Sequence, residues 1–168
     1  MPLEKLLSTI KAETACYGEL YDLLADEKKA ISHSSKGRLN EINNLKESMI
    51  VKLQQYEKTR TALVDQLAGA HGQKDMQISV RQLAFLIGSP SGDILLKRAD
   101  HLRSIIIVVQ QKNRQNQLLI RQSLDLVNSA LNLLAQHIVS NSTYQKAGKF
   151  DSFPGYRSGC GRIIQGTV

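Results

Sequence analysis

Few side chains in this sequence are of the kinds that carry covalent or acid–base chemistry, and their spacing gives them none to do. The two cysteines, Cys16 and Cys160, form no Cys-x-x-Cys pair, and His33, His71, His101 and His137 share no ligand spacing. A zinc site gathers three or four such ligands at short fixed intervals, so neither a metal nor a disulfide framework is expected. Glycine-rich phosphate loops, Gly-x-Ser-x-Gly elbows and His-Glu-x-x-His helices do not occur in the chain. Carboxylates fall beside Lys and Arg at helical spacing, as at Glu57, Lys58 and Arg60, the pattern of a solvated helix face. Catalysis needs a nucleophile, a base and a pocket held together, and nothing here assembles one; no enzyme activity and no cofactor are expected. The residues that stand out have recognition chemistry instead. Asn113 and Asn116 are amides placed in line with an apolar stripe, and a leucine-rich run follows them.

Four elements position these residues. Leu6, Ile10, Glu13, Tyr17, Leu20, Leu24, Glu27 and Ile31 alternate steps of four and three, a coiled-coil seam over residues 3–33 in which Glu13 and Glu27 are the weak points. The segment SHSSKG (32–37) offers capping hydroxyls and a glycine for a reversal. Leu39, Ile42, Lys46, Met49, Leu53, Tyr56, Arg60, Leu63 and Leu67 repeat the pattern over about 38–68, with Lys46 and Arg60 able to snorkel out of the seam. A shorter amphipathic piece covers 76–87, with Ile78, Leu83, Leu86 and Ile87 apolar. GSPSGD (88–93) then turns the chain, Asp93 is placed to cap, and a last helix runs over about 94–140. The fold class is all-α: an elongated, antiparallel, coiled-coil-like bundle of three long helices plus one short helix. Residues 1–140 form the helical domain. The stretch 141–168 holds five of the eleven glycines and reads as a flexible C-terminal tail.

Charge narrows the partners. The net charge is +7, and from residue 93 onward ten Lys/Arg stand against four Asp. Nucleic acid, an anionic membrane and an acidic protein surface could each meet such a half. No stacking aromatics are interleaved with the basic residues and no helix-turn-helix is recognisable, so no nucleic acid is expected. No apolar run reaches 18 residues, which excludes stable membrane insertion by a helix. Charged residues break the apolar start, MPLEKLLSTIKAE, where a signal peptide needs continuity. The expected compartment is the cytoplasm.

The last helix carries the most information. Its seam is Leu102, Ile106, Val109, Asn113, Asn116 and Ile120. An Asn in such a seam costs stability but fixes register, because a mispaired amide loses its hydrogen bonds; Asn113 and Asn116 are the expected register-setting polar layer. At Ile120 a step of four follows a step of four, and the stripe continues through Leu124, Val127, Leu131, Leu134 and Ile138. A second apolar row runs beside it through Leu119, Leu126, Ala130 and Leu133. The two rows together exceed what one seam can bury. Helices one and two, a second copy of the chain in a homodimeric structural scaffold, or a partner's amphipathic segment could supply the cover.

The order of these elements resembles the FlgN family of flagellar export chaperones. The resemblance is carried by LEKLLSTIKAETACYGELYDLLADEKKAI, by RLNEINNLKESMIVKLQQYEKTRTALVDQLA, by the Asn/Gln-rich QQKNRQNQLLIRQSLDLVNSALNLL and by STYQKAG, in that order over residues 3–148. It implies a cytoplasmic, all-helical chaperone without ATPase activity. Such a chaperone binds the C-terminal segments of the two hook–filament junction proteins, keeps them soluble and unassembled, and brings them to the flagellar export gate. It implies client binding by the C-terminal helical region, which falls here on Leu119, Leu126, Val127, Leu131, Leu133 and Leu134. It also implies gate docking by the tyrosine just past the last helix, Tyr144.

Overall fold

In the computed structural model, residues 1–72 and 78–141 are described, with their side chains up to residue 136. Among them there are four helices and no strand: α1, Pro2–Ser32; α2, Lys36–Ala70; α3, Val80–Ile87; and α4, Ser91–Asn141. The all-α reading, with three long helices and one short, is what the chain adopts. Two compact units divide it, Met1–Asn128 and Ser129–Val168, with the division falling within α4. Of the expected tail, only Asn141, the last residue of α4, is described.

Long-range contacts give the directions of the helices in the first unit. Arg60 Nε donates to Glu13 at 2.9 Å and Lys46 Nζ to Glu27 at 2.9 Å. Fourteen residues forward along α1 is thus fourteen back along α2, so the two helices are antiparallel. Arg98 donates to the Leu7 carbonyl and Asn116 to the Leu24 carbonyl. Seventeen residues forward along α1 correspond to eighteen forward along α4, so these two run in the same direction.

The turn between α1 and α2 differs from the expectation of a glycine reversal. Ser34, not Gly37, takes the left-handed conformation, at φ 51°. The Ser35 N–H donates to the Ala30 carbonyl and the Ser34 N–H to the Ile31 carbonyl, which closes a Schellman end on α1. Gly37 lies inside the first turn of α2. The start of α3 is sharper than its periodicity suggested: Ser79 caps it and forms a reciprocal box with Gln82, so the helix begins at Val80. α4 begins at Ser91 rather than at 94, because the Gly92 N–H already donates to the Gly88 carbonyl at 2.7 Å. Asp93 therefore sits in the first turn, where it accepts a hydrogen bond from Ser89 Oγ.

Apolar layers alternate with polar ones along the first unit. One layer joins Leu6 and Ile10, Val64 and Leu67, Leu83 and Ala84, and Leu95 and Leu102, and so draws on all four helices. A second joins Cys16, Leu20, Leu24, Met49, Leu53 and Val109. In α1 the buried positions are Leu6, Ile10, Glu13, Cys16, Leu20, Leu24, Glu27 and Ala30. Cys16 and Ala30 replace the expected Tyr17 and Ile31, because small side chains admit the neighbouring helix and the larger ones flank it, half-buried. α3 turns Leu83 and Ala84 inward and leaves Phe85 and Leu86 exposed, so of the apolar residues read from its sequence Leu83 is the one that becomes buried.

Candidate functional site

The polar layers come first, since they fix where α4 lies. Glu13 is only 2% exposed and Glu27 4%. A buried unpaired carboxylate would be costly, but each has a cation from α2: Arg60 for Glu13 and Lys46 for Glu27. Arg60 is therefore not part of a free solvated face, although it also stands 3.9 Å from Glu57. Burial pushes the Glu13 carboxyl above its ordinary pKa; the charge and hydrogen bond of Arg60 pull the other way without cancelling it.

α4 enters the second polar layer through Asn116, which is 1% exposed. Its Nδ2 donates to the Leu24 carbonyl and to Glu27 Oε2, both at 2.8 Å. Two acceptors on one side fix which way the amide points, and they leave Oδ1 buried without a donor. Lys46, Glu27 and Asn116 thus form a chain of hydrogen bonds across α2, α1 and α4. Asn113 is half-buried and lines a shallow concavity with Gln110, Arg114, Gln117, Leu118 and Arg121. The sequence placed Asn113 and Asn116 in one seam; the structure brings only Asn116 into the hydrogen-bonded layer.

Past Asn116 the burial pattern of α4 changes. From Leu95 to Asn116 one residue in every seven is buried: Leu95, Leu102, Val109 and Asn116. From 117 to 136 no residue is buried, and only Leu119 is half-buried. In the first unit Leu126 is 72% exposed, and Val127, Leu124, Leu118 and Ile120 are also open. In the second unit Leu131, Leu133 and Leu134 are exposed as well. α1 and α2 do not cover the two apolar rows of the first unit. Leu118 belongs to neither row, and reading the rows alone misses it; its exposed place between Arg114 and Arg121 follows from helical spacing.

The remaining reactive side chains have structural surroundings. Cys16 lies among leucines, and burial raises its thiol pKa. His33 and His71 each place Nδ1 near the carbonyl four residues back at a helix end. Among the described residues no group of three His, Cys, Asp or Glu could hold a metal ion, and no helix is long and apolar enough to cross a membrane. Tyr144 lies outside the described residues.

The sequence model of the FlgN protein family matches residues 1–151 of the chain. No curated protein and no solved structure matches.

Proposed function

The chain belongs to the FlgN protein family, a family of flagellar export chaperones, and from that premise we propose that its clients are the C-terminal segments of the hook–filament junction proteins. A client segment lies as an amphipathic helix on the apolar rows of α4, against Leu119, Leu126, Val127, Leu131, Leu133 and Leu134. The observation that supports this is the exposure of those rows. Covering one leucine of this kind is worth about 1.5–3 kcal/mol, so a face with several of them gains strongly from an apolar partner. Covering it also hides the client's own apolar stripe, which would otherwise drive premature assembly. Of the two amides, Asn116 acts as the register-setting position that holds the start of the open part of α4 in place. Tyr144 serves as the docking residue for the export gate, to which the chaperone delivers its client from the cytoplasmic side. None of these steps requires catalysis.

Calorimetric titration of the full chain with the C-terminal segment of a junction protein tests the reading. Saturable one-to-one binding is expected. Val127→Asp and Leu131→Asp should each weaken it roughly tenfold or more, since a carboxylate would be desolvated in an apolar contact. Both side chains are exposed in the free chain, so helix content by circular dichroism should not change. Tyr144→Ala should spare client binding and weaken gate docking. A folded chain that binds no junction segment would overturn the reading.

A further inference from the structure

α4 presents a second feature beside its apolar rows. Gln110, Arg114, Gln117 and Arg121 follow steps of four, three and four, so they form one stripe, with Leu118 exposed between the two arginines. The arginines are exposed and seven residues apart, about 10 Å along the axis. Two other cations of this helix are engaged, Arg98 with the Leu7 carbonyl and Lys112 at 3.5 Å over the Tyr21 ring, while Lys97 and Arg103 are exposed nearer its start. Arg114 and Arg121 make no ion pair or hydrogen bond with any described residue. From Arg103 to Arg121 the helix has no carboxylate of its own.

We propose that the segment seated on α4 is acidic, with two carboxylates two helical turns apart that pair with Arg114 and Arg121 around an apolar residue packed on Leu118. The inference rests on the reading of α4 as the client surface and adds the chemistry of the client's edge. Charge complementarity selects this occupant. A second copy of the chain, paired through residues 103–121, would set Arg and Lys against Arg and Lys; the nearest carboxylate that follows on this helix is Asp125, one turn beyond Arg121. An acidic segment supplies what the stripe lacks, and the arginines at its edge fix its axial position, which the uniform leucine rows alone do not.

The test uses the full chain and two synthetic amphipathic peptides of about 15 residues, long enough to span Arg114 to Val127. They share an apolar face and differ in having two Glu or two Gln seven residues apart. The junction-protein segment is titrated in parallel. In the Arg114→Gln/Arg121→Gln variant, affinity for the Glu peptide should fall about five- to tenfold, as for two partly exposed ion pairs, and its salt dependence should flatten. Affinity for the Gln peptide should not change. Equal loss for both peptides, or no loss for either, overturns the proposal. A junction segment that binds the wild type and the variant equally, at low and high salt, overturns it and leaves the chaperone reading standing. Arginine-dependent Glu-peptide binding without junction-segment binding upholds the acidic chemistry and overturns the choice of client. Arginine-dependent binding to phosphatidylserine vesicles, with neither peptide bound, assigns the stripe to a membrane surface and overturns the proposal.

Discussion

Glu13 and Glu27 look like defects in an apolar seam, and Lys46 and Arg60 like cations escaping from another. The structure makes them partners. The signal was present in the sequence, since both pairs stand fourteen residues apart on their own helices, but it becomes legible only once the two helices are known to be antiparallel and in which register. For Glu13 the pairing does not abolish the cost of burial, and its carboxyl is held above the ordinary glutamate pKa. A raised folded pKa means that the native state binds the proton more readily than the unfolded chain. Stability from this group is therefore greatest below the ordinary glutamate pKa. It falls as pH rises through the raised folded value and is constant above it. Glu13→Gln should remove that slope. Urea midpoints measured across the window just above the ordinary glutamate pKa should fall with pH in the wild type relative to the variant. A wild-type midpoint that rises relative to the variant would mean that the Arg60 charge outweighs desolvation.

Among the elements, periodicity located all four helices, because each seam is an intrinsic property of its own sequence. The joints were less legible, because their geometry depends on what packs across them. Gly92 reads as a turn residue in GSPSGD, yet it lies in the first turn of α4, where an added Cβ would stand 2.2 Å from the Ala84 carbonyl oxygen of α3. Backbone rather than a flexible side chain occupies that space, so the two helices would have to separate. Gly37 is the useful contrast: it also lies in a first helical turn, but nothing is within 4 Å of an added Cβ. Gly92→Ala should therefore destabilise the chain by about 1–3 kcal/mol. Gly37→Ala should stabilise it by roughly 0.5–1 kcal/mol through helix propensity alone. Chemical denaturation of the two variants checks both signs together; equal effects would mean that α3 does not dock closely on α4.

For the molecule as a whole, the candidate site was legible as a pattern but not as a surface. The sequence showed that the apolar stripe widens after Ile120; whether α1 and α2 cover it depends on where they end beside α4. α1 runs alongside in the same direction, with the Leu24 carbonyl bonded to Asn116, and it stops eight residues later at Ser32. Among the described side chains, the layer of Lys46, Glu27 and Asn116 is thus the last one in which α4 buries a residue. A long helix draws most of its stability from such packing and little from propensity, so α4 should hold two levels of local stability. Native-state hydrogen exchange of the free chain should show strong protection around Leu95 to Val109 and weak protection over 117–136. Binding of the client segment should raise protection over 117–136 and leave the packed part unchanged, because only the open stretch gains a cover. Equal protection along α4 in the free chain would mean that the apolar rows are already covered, by the chain's own C-terminal residues or by a second copy. The client would then have to displace that cover in order to bind.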